Sequence, residues 1–150
     1  QQRYWQRHRD YHSRWYSQRW SFEHDPYSWT PPSHRYYRGG RWHSVNRYAL
    51  DVLQQAIRIG YEEGFYAGEA DRHDGWRGGY RDNFVYQDAS LGYQGWYVSQ
   101  SEYNYYFREG FRRGYEDGYY RRFRYGRRYQ TGYSILPREL DVILRFELYR

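Results

Sequence analysis

The chain has no cysteine, no methionine and no lysine among its 150 residues. Without cysteine there is no disulfide framework and no thiolate metal site. Without methionine there is no initiator residue. The start at Gln1 therefore predicts cleavage, most simply removal of a signal peptide, and a periplasmic or extracellular location. No run of about 18 apolar residues occurs, so no membrane span is expected. Aliphatic side chains are missing from the whole N-terminal stretch: the first Ala, Val, Ile or Leu is Val45. The P-loop, the dinucleotide fingerprint and serine-nucleophile patterns are also absent.

What fills these gaps is aromatic and arginine. Tyr, Trp and Phe make up 25% of the chain, with 23 Tyr, 7 Trp and 7 Phe. Such rings bury large areas yet carry polar handles, which predicts a core laced with tyrosine hydrogen bonds. All 24 basic residues are arginine. A guanidinium stacks on rings and donates in a planar fork, so arginine among aromatics is a cation–π vocabulary. The net charge of +6 is uneven: residues 1–43 carry +5 and residues 44–150 carry +1. Five of the six histidines also lie within residues 1–43, so this segment gains further charge in mild acid.

Three segments follow from these contrasts. Residues 1–43 read as an extended basic aromatic arm, broken by Asp25-Pro26 and Pro31-Pro32 and closed by Gly39-Gly40. The arm has too little apolar area to fold alone, so its tryptophans, Trp5, Trp15, Trp20, Trp29 and Trp42, are assigned to contacts with another surface. Residues 44–128 read as a helical core, and residues 129–150 as a tail. A first helix is expected over 44–72, capped by Ser44. Residues 80–98 form a mostly irregular connector. A second helix is expected over 100–125, with a capping box at Ser99 and Glu102 and a glycine stop at Gly126. In the tail, Val142, Leu144, Phe146 and Leu148 alternate with Asp141, Ile143, Arg145 and Glu147, the period of a strand. Leu140, Ile143, Leu144 and Glu147 also fit helical spacing.

The most informative constellation is an internal repeat. Gly60, Gly64 and Gly68 are each separated by four residues, and Gly110, Gly114 and Gly118 repeat them at an offset of fifty. Both stretches read Gly-aromatic-x-x-Gly-aromatic-x-x-Gly. A helical glycine costs about 1 kcal/mol against alanine, so a close backbone contact must offset the stripe. The expected fold is mainly α: two glycine-striped helices packed as a hairpin, with the arm and a C-terminal β-strand attached.

These residues resemble uncharacterised exported bacterial proteins rich in Tyr, Gly and Arg that carry Tyr-x-x-Gly-Tyr-x-x-Gly helices. The resemblance covers 57–71 and 106–120 and implies no activity.

His8 and His12, with Asp10 between them, lack a third metal ligand. Asp71-Arg72-His73-Asp74 lacks the alternating oxygens of a calcium loop. The acid pairs Glu62-Glu63 and Glu116-Asp117 are expected to pair with arginines of the facing helix, such as Arg112, Arg113 or Arg58. No catalytic residue, metal or cofactor is assigned. Functionally the sequence points to an exported structural protein that self-assembles, or coats a larger envelope or extracellular assembly, through the arm and the C-terminal strand. The alternatives are a module that binds a polyanion or anionic glycan through its Arg/aromatic arm, and an accessory subunit of an exported enzyme complex.

Overall fold

A computed structural model describes Tyr4 and residues 30–148. It overturns the mainly α hairpin expected above. Within residues 30–148, four helices combine with two small antiparallel sheets in a mixed α/β fold.

The first strands, β1 (His34–Arg38) and β2 (Arg41–Val45), form a hairpin. Gly39 and Gly40 turn it, both with positive φ (63° and 79°). Only glycine adopts two such residues in succession without strain. A 27-residue helix, α1 (Arg47–His73), follows. Its cap is Asn46, whose side chain accepts from the Ala49 amide at 2.8 Å; Ser44 lies in β2 instead. Residues 74–99 are largely irregular around a short helix, α2 (Phe84–Asp88). Next comes α3 (Gln100–Tyr120), capped by Ser99, whose hydroxyl accepts from the Glu102 amide at 3.2 Å. The Glu102 side chain does not return to the cap. It accepts from Tyr36 and Arg38 and so ties the β1–β2 hairpin to α3. The helix stops at Arg121, in the left-handed region at φ 53°, before it reaches Gly126.

A second hairpin, β3 (Gly126–Tyr129) with β4 (Gly132–Ile135), leads into α4 (Pro137–Ile143) and then β5 (Phe146–Leu148). The tail reading is corrected here. Pro137 starts a helix through Ile143, so the helical spacing of Leu140, Ile143 and Leu144 prevails over the alternation there. Only 146–148 is extended. It does not await another chain: β5 pairs antiparallel with β1, giving the sheet order β2-β1-β5.

The centre of the fold is the contact between α1 and α3. A Cβ placed on Gly60, Gly64 or Gly68 would lie about 2.1–2.2 Å from the carbonyl oxygens of Phe107, Phe111 and Tyr115 respectively. One placed on Gly110, Gly114 or Gly118 would lie 1.9–2.1 Å from those of Ile57, Tyr61 and Phe65. Partner numbers rise together on both sides, so the helices run in the same direction. A hairpin would run them in opposite directions. An α1 of this length spans roughly 40 Å, and the long connector 74–99 brings the chain back to the starting end.

The contact has an internal two-fold. Each glycine faces the carbonyl three residues before the equivalent glycine of the other helix, and shifting all numbers by fifty exchanges the two sets. A glycine hydrogen stands where Cβ would be, directed at a carbonyl oxygen. Such Cα–H···O contacts recur at close helix interfaces. Aromatic rings fill the flanks. Along α3, Tyr103, Phe107, Phe111, Tyr115 and Tyr119 stack at four-residue steps with centroids 5.9–6.4 Å apart.

A candidate polyanion-binding face

Tyrosine hydroxyls, and not arginines of the facing helix, hold the buried acids. Tyr61 donates to Asp117 at 2.8 Å, Tyr115 to Asp71 at 2.6 Å and Tyr4 to Glu63 at 2.7 Å. Arg112 and Arg113 turn to Glu109 on their own helix. Burial, then the neighbouring carboxylate, pushes the Tyr61 and Tyr115 hydroxyls well above the ordinary tyrosine range. Tyr36 behaves alike beside Glu102, and burial raises Tyr106 as well. Burial also raises Asp71, while the Tyr115 hydrogen bond pulls it down. The Tyr36, Tyr61 and Tyr115 hydroxyls stay protonated and serve as fixed donors to their carboxylates.

Asp117 links this interior to the surface. Besides the Tyr61 bond, it accepts from the Arg124 amide at 3.1 Å and the Tyr125 amide at 2.9 Å. Its backbone carbonyl accepts from the Arg122 amide at 3.0 Å. One buried carboxylate thus sets the path of the chain as it leaves α3 and enters β3. Gly126 permits that path, since a Cβ there would sit 2.2 Å from the Tyr61 hydroxyl. From the other side, Glu62 accepts from the Tyr133 amide at 3.0 Å and seats β4 on α1. Tyr133 stacks on Phe65 at 3.7 Å between ring centroids, with Phe123 stacked on the same ring at 5.7 Å.

The segment so fixed is basic and aromatic. Residues 118–138 contain six arginines and no acid. Arg121, Arg122, Arg124, Arg127 and Arg128 are all exposed. Phe123 stands among them, and Tyr120 and Tyr129 flank them, exposed by 51%, 58% and 54%. Arg122 pairs with Glu116 and lies over the Tyr120 ring at 5.0 Å. Arg124 lies 3.5 Å from Glu116 and 5.1 Å from the Tyr125 ring centroid. No ion pair within the described residues engages Arg121, Arg127 or Arg128. Exposed rings close in sequence to guanidinium groups without an ion pair among the described residues offer stacking surfaces and charge together, the combination that anionic polymers use.

Sequence reasoning located the basic module in the arm and overlooked this face. The +1 balance of 44–150 averages a basic stretch against acids elsewhere. A running charge count over 118–138 would have revealed it. Of the arm tryptophans, Trp5, Trp15, Trp20 and Trp29 lie outside the described residues, as do His8 and His12. Trp42 lies on β2, where Arg35 and Arg145 approach its ring at 4.4 and 5.7 Å. The six stripe glycines meet at the α1–α3 contact. The four assigned strand residues do not share a face: Val142 is on α4 and 71% exposed, Leu144 is fully buried, and Phe146 and Leu148 belong to β5. Asp71 is committed to Tyr115, and no metal-binding cluster occurs among the described residues. No helix among the described residues is long and apolar enough to cross a membrane.

No protein family, curated protein or solved structure matches the chain.

Proposed function

We propose that this protein is a non-catalytic module that binds an anionic polymer through the exposed basic segment Arg121–Tyr129 and the Tyr120 ring beside it, with Arg127 and Arg128 projecting from opposite sides of β3. The observation that carries the reading is the run of five exposed arginines with Phe123 among them and Tyr120 and Tyr129 at its ends, fixed to the core by Asp117 and Glu62. Such a surface is positioned before any ligand arrives, so binding need not order it.

The self-assembly reading has less support once the chain is folded. A strand in need of a partner was one of its grounds, and β5 pairs with β1. The other ground was an arm without a core. Tyr4 is fully buried and bonded to Glu63, which ties that part of the arm to the chain's own interior. One observation still favours association: β5 is an edge strand, and Leu148 on it is 62% exposed.

The test is a titration of labelled polyphosphate at several salt concentrations. Affinity should fall steeply as salt rises, because arginine contacts release counterions. Replacing Arg121, Arg127 and Arg128 together with Gln should flatten that dependence and leave thermal stability in place. Salt-independent affinity, or normal binding by the triple variant, would refute the reading. Concentration-dependent particles in light scattering without any polyanion would favour the edge-strand alternative.

A further inference from the structure

A cleft of about 590 Å³ opens beside the basic face, between the loop after α1 and the C-terminal half of α3. Arg77, Tyr80, Arg112, Glu116, Tyr119 and Tyr120 line it. Its size lies within the roughly 300–1,000 Å³ of small-molecule sites. The loop is a built structure. The Trp76 amide donates to the Asp71 carbonyl at 2.8 Å, and its indole N–H donates to the Gly79 carbonyl at 3.0 Å. The Tyr119 hydroxyl then donates to the Trp76 carbonyl at 2.8 Å and closes the loop onto α3. Arg77 projects from this clasped loop as an exposed side chain. Tyr80 is wedged edge-on against Tyr86 and Tyr115, with ring centroids 4.8 and 5.9 Å away.

The lining combines three chemistries. Tyrosine rings offer flat apolar surfaces. Arg77 offers an exposed guanidinium with no ion pair among the described residues, while Arg112 and Glu116 add a donor and an acceptor that also pair with Glu109 and with Arg122 and Arg124. A linear polyphosphate offers acceptors to the arginines but no donor to Glu116. A sugar hydroxyl both donates and accepts, so it uses a guanidinium and a carboxylate in one site. The C–H face of a pyranose ring packs on tyrosine, and a carboxylate on that ring suits the Arg fork.

We propose that the cleft holds one acidic sugar unit, a uronate, of a polysaccharide whose following units cross the Arg121–Tyr129 face. This rests on the polyanion reading above and names its ligand class. The two surfaces join at Tyr120, which lines the cleft and carries Arg122 over its ring, and at Glu116, which lines the cleft and pairs with Arg122.

The experiment compares three probes on the full chain: a short oligouronate, the same oligosaccharide with its carboxylates reduced to alcohols, and linear polyphosphate. The native protein should bind the oligouronate more tightly than its reduced form. Arg77→Ala should weaken the oligouronate about tenfold, the worth of one charge-assisted bond, and leave polyphosphate within about twofold. Arg127→Gln with Arg128→Gln should weaken both anionic probes. Unchanged circular dichroism and melting temperature in each variant would establish that the fold is intact; Tyr120→Ser, which removes a ring platform, is the second cleft variant and should weaken the oligouronate as well. Equal effects of Arg77→Ala on both anionic probes, or none on either, would overturn the cleft assignment. So would native protein that binds polyphosphate but not oligouronate. Failure of polyphosphate alone, with oligouronate binding still sensitive to Arg77, would overturn the broad face and leave the cleft standing.

Discussion

The helix pair and the β3–β4 region use the same residue types, Tyr, Arg and Gly, to opposite ends. Between α1 and α3, glycines bring backbones together, tyrosines lose their water, and their hydroxyls serve buried carboxylates. Around 120–129 the rings and guanidinium groups remain in solvent. The difference lies in which acids are near. Asp71 and Asp117 are set into the helix contact and draw tyrosine inward, whereas 118–138 contains no acid of its own, and Glu116 beside it pairs with Arg122 but leaves Arg121, Arg127 and Arg128 without an ion pair among the described residues. Composition alone therefore does not distinguish the interior from the exposed basic surface in this chain; the placement of carboxylates does.

The comparison breaks most completely at a stripe glycine. Gly114→Leu would set a side chain 1.9 Å from the Tyr61 carbonyl oxygen, where a backbone and not a flexible side chain is in the way. The expected cost is about 3 kcal/mol or more, read by chemical denaturation as loss of the cooperative transition. A Gly114→Leu variant as stable as the native protein would show that the helices do not approach as described.

Alkaline pH should come next. Tyr36, Tyr61, Tyr106 and Tyr115 have folded-state values raised by burial. An unfolded chain releases these protons near pH 10, while the folded chain retains them. Stability is therefore fully present below about pH 10 and falls above it, by about 1.4 kcal/mol per pH unit for each such tyrosine. Arginine stays charged throughout, so the interior should fail before the surface charge does. Flat stability between pH 9 and 11.5 in denaturant titrations, roughly the window set by the tyrosine reference value, would contradict the buried-hydroxyl arrangement.

Tyr61→Phe should have a smaller effect, about 1–2 kcal/mol, because Asp117 keeps two amide donors after losing the hydroxyl. Its sharper signature is local: hydrogen exchange at the Arg124 and Tyr125 amides should accelerate more than exchange in α1. The smallest effect on stability belongs to Arg127→Gln with Arg128→Gln, within about 0.5 kcal/mol. The same pair should lower the salt slope of polyanion binding by about two. A large stability loss here, with binding unchanged, would mean that these arginines belong to the fold.

The helix repeat was legible because six glycines at fixed spacing leave a periodic trace in the sequence. Their relative direction was not. A stripe defines which face is in contact, but a parallel and an antiparallel partner satisfy it equally. Only the length of the connector hinted at the answer, and the connector read as irregular filler. The strands were hidden for another reason. In β1 and β2, Arg, His and Ser stand beside the strand-favouring Tyr, Trp and Val, so no apolar alternation announces a sheet. In the tail, two periodicities overlapped. Pro137 decided between them, since its ring favours the first turn of a helix. The exposed basic segment escaped notice because charge was summed over 1–43 and 44–150 and not along the chain.

The two-fold between α1 and α3 has a further consequence. In a symmetric pair of identical chains every substitution appears twice, and whatever suits one side is imposed on the other. Here both sides belong to one polypeptide, so they can diverge independently. They have done so where the fold needs it: Glu62 and Glu63 on α1 correspond, fifty residues later, to Arg112 and Arg113. The first pair receives the Tyr133 amide and the Tyr4 hydroxyl; of the second, Arg112 reaches the cleft. A shared backbone geometry thus carries two unlike edges, one specialised for holding the molecule together and the other left open to the outside.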